Sequence, residues 1–262
     1  MTESNKDEAA LWLTLRQEAS AALEQQPQLA ALLTRTVLQQ DSLGSALIQR
    51  LAQQLANNDL DVGQWETMLR EPLQSAAMQA VVSADMLAYR ARDPACISLL
   101  QPLLFFKGFA AVQTQRAAHA FWQQGRHTLA WLLQSRASEL WQVDIHPAAK
   151  LGAGLFLDHA TGVVIGETAV VGENVTIMHG VTMGGNGKER GDRHPKIGDG
   201  VLLSVGAKVL GNIQVGEGAR VAAGAVVLHN VPPHVTVAGA PARPVGQAAG
   251  APALSLDHCF DI

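Results

Sequence analysis

The sequence predicts an α+β fold in which an all-helical N-terminal domain is followed by a parallel β-helix. Three observations carry this prediction. Twenty of the 24 glycines and 18 of the 23 valines follow residue 140 of the 262-residue chain. Apolar residues recur at helical spacing before that point, and with a period of six after it. A uniform α/β chain would mix these residues along its length, so their distribution argues against a doubly wound fold or an α/β barrel.

Residues 8–140 show the pattern of amphipathic helices. Asp41-Ser42 can cap a helix whose apolar stripe comprises Leu43, Leu47, Ile48, Leu51 and Leu55. Similar stripes run through 11–23, 29–38, 75–91 and 103–133, with turns at Asn57-Asn58 and Gly63. We therefore assign residues 1–140 to a helical domain that serves in oligomerisation.

Residues 141–245 carry a hexapeptide repeat. Every sixth residue is aliphatic on both sides of one interruption, at Ile165, Val171, Ile177 and Met183, and then at Ile197, Leu203, Val209, Val215, Val221 and Val227. Such a period predicts a parallel β-helix in which each repeat forms one short strand and a turn, and three repeats complete a coil. The aliphatic residues face the interior, and glycines supply tight corners.

The interruption predicts a loop that protrudes from the β-helix. Met183 and Ile197 are fourteen residues apart, two more than two repeats, and the sequence between them is polar and rich in glycine. Inserts of this kind commonly line a binding face. The chain after Val245 is rich in Ala, Gly and Pro, so we expect residues 246–262 to form a flexible tail.

Bulk properties exclude several classes of partner. With 19 basic and 23 acidic residues the net charge is −4, which gives no basic field for nucleic acid or for an anionic membrane. No stretch approaches the roughly 20 apolar residues of a membrane span, and the polar N-terminus lacks the regions of a signal peptide. Cys96 and Cys259 have no CxxC partner, and a nucleophilic role is not favoured for either. We expect a cytoplasmic protein.

His159 departs from the repeat because it lies six residues before Ile165, in the aliphatic phase. Either it disturbs the core, or a local distortion turns it toward a cleft. Asp144 lies fifteen residues upstream, a little less than one 18-residue coil, so stacking could bring its carboxylate near the His159 ring. A carboxylate there would fix the tautomer of the imidazole and leave the other nitrogen as a base. A structural histidine is an equally good interpretation of the residues alone.

Other polar residues allow two interpretations each. His159, His179 and His194 could form a zinc site of the γ-carbonic-anhydrase type. Asp93-Pro94 has the pattern of a helix N-cap, which the residues alone favour over a carboxylate that faces a cationic ligand. Arg193, in the insert, could hold a substrate carboxylate in a bidentate pair or decorate a loop.

Six segments together resemble bacterial serine O-acetyltransferase. They are Asp93-Pro94-Ala95, Asp144-Ile145-His146-Pro147, 158–162 (DHATG), 179–182 (HGVT), 191–196 (GDRHPK) and 238–243 (AGAPAR). The repeat alone identifies only a broad superfamily of acyltransferases, whereas the DHATG and GDRHP segments are far more specific. The resemblance covers nearly the whole chain and implies that the β-helix is left-handed.

The resemblance implies transfer of acetyl from acetyl-CoA to the hydroxyl of L-serine, which yields O-acetyl-L-serine on the route to cysteine. His159 would be the general base, oriented by Asp144. Arg193 and His194 would hold the serine carboxylate or assist the reacting centre, and Asp93 and Asp158 would pair with the ammonium.

Acetyl-CoA would bind as a co-substrate along a groove between neighbouring β-helices, and no metal or tightly bound cofactor is required. The implied binding strip comprises Gly184, Gly185, Ser204, Val205, Gly206 and Ala222, with weaker phosphate contacts from Lys208, Arg220 or Arg243. The resemblance further implies a homohexamer built from two trimers with active sites at subunit borders, inhibition by L-cysteine, and binding of O-acetylserine sulfhydrylase through the terminal Ile262.

Three alternatives to this function stay open on the sequence. A hexapeptide acetyltransferase could use another hydroxyl acceptor, although the acidic pair Asp93 and Asp158 suits an amino group. A zinc hydratase would use the three histidines. A non-catalytic scaffold would use the β-helix only for assembly, but it would have no need of His159 in an aliphatic phase.

Overall fold

A computed structural model describes residues 3–188, 190–248 and 250–256 of the chain. It confirms the predicted architecture of a helical N-terminal domain followed by a parallel β-helix. In the described part of the chain the α-helices are α1 (Glu3–Gln25), α2 (Ala30–Leu33), α3 (Leu43–Leu55), α4 (Val62–Leu73), α5 (Ala76–Arg92), α6 (Leu100–Leu104), α7 (Lys107–Gln123), α8 (His127–Trp141) and α9 (Pro252–Ser255). A 3₁₀ turn (Pro27–Leu29) and a π-helical turn (Thr34–Leu38) lie on either side of α2.

Helix boundaries follow the capping residues where the sequence supplies them. Ser42 caps α3 as predicted, because its Oγ accepts a hydrogen bond from the Ser45 N–H over 3.2 Å. The stripe predicted over 103–133 is not one helix. It is divided at Phe105-Phe106, between α6 and α7, and again around Gly125, whose φ of 75° ends α7. None of the helices in the described residues has the length and apolar character that a membrane span needs.

The strands are short and stack into three sheets, the faces of a triangular solenoid, in which all pairs are parallel except that of β14 with β15. Their bounds are β1 (Val143–Ile145), β2 (Lys150–Leu151), β3 (Phe156–Asp158), β4 (Val163–Ile165), β5 (Val170–Val171), β6 (Thr176–Met178), β7 (Thr182–Gly184), β8 (Lys196–Ile197), β9 (Leu202–Leu203), β10 (Lys208–Leu210), β11 (Gln214–Val215), β12 (Arg220–Val221), β13 (Val226–Val227), β14 (Val235–Ala238) and β15 (Arg243–Gln247). Sheet A is β1-β4-β7-β10-β13, sheet B is β2-β5-β8-β11, and sheet C is β3-β6-β9-β12-β14-β15.

The period of six marks the core as predicted. All ten repeat positions are at most 3 % exposed. In one respect the sequence interpretation was wrong. Ile197 pairs with Val171 below it and Val215 above it, so the step from Met183 to Ile197 spans one repeat and not two. The insert therefore adds eight residues to a repeat that is otherwise six residues long. The loop is longer than the two extra residues predicted from the spacing in the sequence.

Both ends of the solenoid are covered. The helices α5, α7 and α8 pack on the first coil, and β15 adds an antiparallel strand beside β14 at the other end. The chain continues as α9, in which Pro252 and Ala253 are buried and the Ala253 carbonyl accepts a bond from Thr176 Oγ1 over 2.7 Å. The described part of the predicted tail thus contains the last residues of β15, which continues to Gln247, and the short helix α9.

A buried ion pair joins the two domains. Asp85 on α5 accepts bonds from Arg116 on α7, with Oδ2 to Nη2 at 2.7 Å, and both side chains are at most 5 % exposed. Asp85 Oδ1 also accepts from the Leu155 N–H over 2.9 Å. Arg116 donates to the carbonyls of Leu151 (3.2 Å) and Gly152 (2.7 Å). The pair therefore satisfies backbone groups of the first coil, which has no coil beneath it.

We predict that Arg116→Ala destabilises the protein by about 3–5 kcal/mol, because Asp85 is then buried without a counter-ion. Denaturant unfolding followed by circular dichroism measures the change. The control is Arg126→Ala, which breaks a pair with Glu71 whose side chains are 42 % and 54 % exposed. That substitution should cost less than ~1 kcal/mol. Equal losses of unfolding free energy in the two variants would contradict the conclusion that the Asp85–Arg116 pair stabilises the contact between the two domains.

Candidate active site

The corner that follows β3 is two residues longer than the corner above it. Leu157 pairs with Ile177, twenty residues later, whereas Ile165 pairs with Met183, eighteen residues later. His159 and Ala160 take up the difference in the left-handed conformation, with φ of 54° and 57°. Leu157 fills the core position, and the His159 side chain is 76 % exposed. Of the two alternatives for His159, the local distortion is therefore confirmed.

Two carboxylates stand beside His159 in a cavity of about 370 Å³. Asp158 Oδ1 lies 3.7 Å from His159 Nε2. Burial raises the pKa of Asp158, and the neighbouring Asp93 raises it further, while His159 opposes both effects. Asp93 comes directly after α5, and no helix begins at Pro94. The predicted N-cap is therefore wrong: Asp93 Oδ1 accepts from the Ala95 N–H over 2.8 Å within a turn.

An aromatic wall completes the cavity, and sequence reasoning missed it. Tyr89, Phe105, Phe106 and Phe156 line one side, and Lys107 lies near the rim, where its Nζ donates to Thr161 Oγ1. These residues come from α5, from the break between α6 and α7, and from β3. No motif marks them, because their convergence depends on how helices pack against the first coil.

The turns between sheet C and sheet A form a column that we call the His159 corner. His159 and His179 stack one coil apart, with ring centroids at 5.8 Å, and the Nδ1 atom of His179 is buried without a partner among the described residues. Glycines above each other in this column hold φ near 70°, namely Gly162, Gly180, Gly206 and Gly224. Ser204, Val205, Gly206 and Ala222, four of the six residues predicted to bind acetyl-CoA, belong to this corner.

The turns between sheet A and sheet B form a second column, the loop corner, which carries the insert. Arg193 Nη2 pairs with Glu167 Oε2 over 2.6 Å. His194 Nδ1 accepts from the Thr168 N–H over 3.1 Å, and its ring lies against Gly166, where a Cβ would overlap it. The other two predicted acetyl-CoA residues, Gly184 and Gly185, begin the insert and lie at this corner.

Electrostatics in the loop corner favour a neutral His194. Burial and the adjacent Arg193 lower the pKa of His194, and the same guanidinium lowers the pKa of Glu167 through its hydrogen bond. His146 is a neighbour that sequence reasoning left without a role. Burial lowers its pKa as well, and its Nδ1 accepts from the Ala148 N–H over 3.0 Å. Both imidazoles thus present unprotonated Nδ1 atoms to the backbone.

Asp144 does not reach His159 within one chain, so the stacking expectation was wrong. Its partner one coil above is Val164, since the corner between them contains the two added residues. The Asp144 Oδ1 atom instead accepts from Gln134 Nε2 over 2.7 Å. Sheet A, with three residues in β4, also separates the His159 corner from Arg193 and His194. The structure thus groups Asp93, Asp158 and His159 in one place and Arg193 and His194 in another.

The three histidines of the zinc alternative are divided in the same way. His159 and His179 lie at one corner and His194 at the other, bonded to Thr168. Within the described ranges no three His, Cys, Asp or Glu side chains are grouped as metal ligands would be. Of the weaker phosphate candidates, Arg220 is buried, Lys208 donates to the Gly180 carbonyl, and Arg243 is exposed.

Comparison with known proteins now assigns the family. A model of the serine acetyltransferase N-terminal domain matches residues 11–114, and a model of six bacterial transferase hexapeptide repeats matches residues 194–229. A probable serine acetyltransferase 1 of Oryza sativa subsp. japonica is 49 % identical, over 98 % of this chain and 86 % of its own length. The chain belongs to the serine acetyltransferase family.

Solved structures of this family include ligand complexes. A Neisseria gonorrhoeae serine acetyltransferase in complex with serine has a TM-score of 0.88 and 51 % identity, over 90 % of this chain and 97 % of that one. A Brucella abortus enzyme in complex with coenzyme A has a TM-score of 0.90 and 50 % identity, over 92 % and 96 %. A serine acetyltransferase complex with cysteine has a TM-score of 0.94 and 45 % identity, over 97 % and 99 %.

These comparisons confirm three predictions made from the sequence. They are the fold, the enzyme class and acetyl-CoA as the co-substrate. The family also decides between the acetyltransferase and the zinc hydratase or scaffold alternatives. The roles of individual site residues stay predictions.

We predict that Gly166→Ala lowers kcat/KM for serine by about tenfold, because the methyl group displaces the His194 ring from its place on the backbone. Gly246→Ala is the control, since nothing lies near a Cβ at that position. Steady-state kinetics and thermal melting of both variants measure the effects. Unchanged serine kinetics in folded Gly166→Ala would contradict a role for the His194 position.

Proposed function

We propose that this chain transfers acetyl from acetyl-CoA to the hydroxyl of L-serine, in a site completed by a second copy of the chain. The observation that carries the proposal is an exposed imidazole, His159, beside the two carboxylates of Asp93 and Asp158. A base next to an acidic pocket suits a substrate that bears both a hydroxyl to be deprotonated and an ammonium to be bound.

Recognition of serine divides between its two charged groups. Asp93 and Asp158 pair with the ammonium, and the raised pKa of Asp158 falls again when this cation binds. Arg193 holds the carboxylate, since a guanidinium can donate two parallel bonds to it. Glu167 keeps the guanidinium in place before serine arrives, and His194 adjoins it.

His159 acts as the general base. It takes the proton of the serine hydroxyl as the oxygen attacks the thioester carbonyl of acetyl-CoA, which forms the new C–O bond. When the tetrahedral intermediate collapses, the C–S bond breaks and the CoA thiolate receives the proton from His159. A positioned base contributes about 10²–10⁴-fold to the rate, and alignment of the two substrates contributes much of the remainder.

The separation of the two corners supports a site between copies. One serine cannot reach both corners of a single chain, because sheet A, with strands about 10 Å long, lies between them. Asp144 and Val164 face outward on that sheet, and Val164 is 38 % exposed. If the His159 corner of one copy packs against the outer face of sheet A of a second copy, His159 lies beside Asp144 of that second copy. Serine bound at the His159 corner then contacts Arg193 of the second copy. Gln134 then keeps Asp144 oriented.

Further partners belong to this proposal. Cysteine carries the same ammonium and carboxylate as serine, so it competes for the same pocket as an inhibitor. Assembly of two trimers through the helical domains gives a hexamer. Binding of O-acetylserine sulfhydrylase through Ile262 concerns a residue outside the described ranges and stays a prediction, as does a cytoplasmic location.

The proposed reaction is tested by thiol release from acetyl-CoA with serine, threonine, homoserine and a galactoside as acceptors. We expect serine to be the best acceptor, and His159→Ala to lower kcat by about 10²–10⁴-fold. His127→Ala, at an exposed histidine away from the site, is the control and should keep normal turnover. Equal rates with all acceptors, or near-normal kcat in His159→Ala, would refute the proposal.

Mixing variants tests the two-copy site. We predict that co-assembly of His159→Ala with Arg193→Ala restores activity to about a quarter of wild type, because random mixing joins an intact His159 corner to an intact loop corner at that frequency. Co-assembly of His159→Ala with Asp158→Asn is the control. It should restore nothing, since both changes fall in the same corner. No recovery in the first mixture would show that one chain supplies the whole site.

A further inference from the structure

Helix α5 presents three polar side chains to the backbone or side chains of the β-helix. Asp85 accepts from the N–H of Leu155, and Tyr89 bonds to Leu157. Arg92 donates to Thr176 Oγ1 over 3.1 Å, in the coil above. Residues 85, 89 and 92 are spaced by four and three, so they lie on one face of the helix.

The spacing of these contacts matches the geometry of the two elements. Four residues of α-helix rise by about 6 Å. Two residues of strand rise by about 6.6 Å. Asp85 and Tyr89 therefore meet alternate residues, Leu155 and Leu157, as α5 runs along β3. The helix ends at Arg92, and the next residue, Asp93, enters the acidic cavity.

Tyr89 makes the contact that lies nearest the site. Its hydroxyl donates to the Leu157 carbonyl over 3.1 Å and accepts from the Leu157 N–H over 3.2 Å. Leu157 directly precedes Asp158. Burial raises the pKa of Tyr89 well above its ordinary value, which favours the neutral hydroxyl that can both donate and accept.

The ring of Tyr89 is tightly packed. Phe156 and Phe109 pack edge-on against it, with centroids at 4.8 and 5.8 Å. Gly108 allows the close approach, because a Cβ there would overlap the Leu157 carbonyl and lie 2.8 Å from the Tyr89 hydroxyl. The side chain is 2 % exposed. It thus has one accessible orientation, in which it ties α5 to β3.

We propose that Tyr89 is a positioning residue that sets the separation of Asp93 and Asp158, and so the fit of the pocket to the substrate ammonium. The inference rests on the proposed function, in which these carboxylates bind serine. Asp93 is four residues beyond Tyr89, directly after the end of α5, and Asp158 is one residue beyond Leu157, the bonding partner of Tyr89 on β3. Among the described residues, Tyr89 makes the hydrogen bonds between α5 and β3 that lie nearest to the two carboxylates.

Tyr89→Phe keeps the ring and removes both hydrogen bonds, which leaves the Leu157 N–H and carbonyl without partners. We expect KM for serine to rise about tenfold, while KM for acetyl-CoA stays within about twofold. The matched control is Gln115→Met. Gln115, on α7, is also buried and donates to a backbone carbonyl of the first coil, that of Ala149, over 2.9 Å, but it lines no part of the cavity.

Asp93→Asn and Asp158→Asn complete the experiment. They distinguish failure of the positioning role of Tyr89 from failure of the proposed ammonium pocket. If both raise KM for serine and Tyr89→Phe does not, the positioning role is overturned and the proposed function stands. If neither raises it, the assignment of the ammonium pocket fails, and the inference fails with it. Equal behaviour of Tyr89→Phe and Gln115→Met, with lower melting temperatures but normal KM values, would show a structural role alone.

A second variant covers the case in which Tyr89→Phe does not fold. Gly108→Ala keeps the hydroxyl but pushes the Leu157 carbonyl away from it. The same selective rise in KM for serine supports the inference. Normal serine kinetics in folded Gly108→Ala overturns it.

Discussion

The buried pair of Asp85 and Arg116 is the interaction on which the rest of the structure depends. A β-helix satisfies its backbone by stacking coil on coil, and its first coil has no coil below it. Here two side chains from the helical domain take that place, and together they bond to Leu151, Gly152 and Leu155. Their charges are compatible with burial only because each is paired and also bonded to the backbone. The contact with Leu155 fixes where β3 begins. Asp158, at the end of β3, and His159, the next residue, belong to the candidate site.

Site formation follows from a local change in the length of one coil. Two added residues at the His159 corner let Leu157 keep the core position while the imidazole turns outward. The left-handed backbone at His159 and Ala160 is unfavourable by a small amount for residues with a Cβ. The packed strands on both sides of the turn hold it in that form. His159, the proposed base, is therefore placed by the rigid part of the fold, and the cavity around it is placed by helices that pack on that same coil.

The sequence was sufficient for those parts of the structure that repeat. Period six located the core residues, and the departures from it, His159 and the insert, marked both corners of the site. The sequence was insufficient where the stacking partner of a residue depends on the length of an irregular coil. Asp144 was expected beside His159, but a separation of fifteen residues is already three short of an 18-residue coil, and the two added residues make this coil twenty long, so the stacked neighbour of Asp144 is Val164. Tyr89 could not be found at all, because its bonds to Leu157 depend on how α5 packs along β3, and no local pattern encodes that packing.

The proposed division of the site between two corners has a physical consequence for assembly. In one chain, His159 is exposed, Asp144 accepts a bond from Gln134, and Arg193 is paired with Glu167. Asp144 and Arg193 are thus held by their own neighbours within one chain, so the proposed association of copies need not order these two side chains and loses less conformational entropy. The helical domain contributes to this preparation, since it supplies Tyr89 from α5, Asp93 directly after α5, and Gln134 from α8. Under the proposed function, the domain that the composition marked only as poor in glycine therefore contributes to the active site as well as to the assembly.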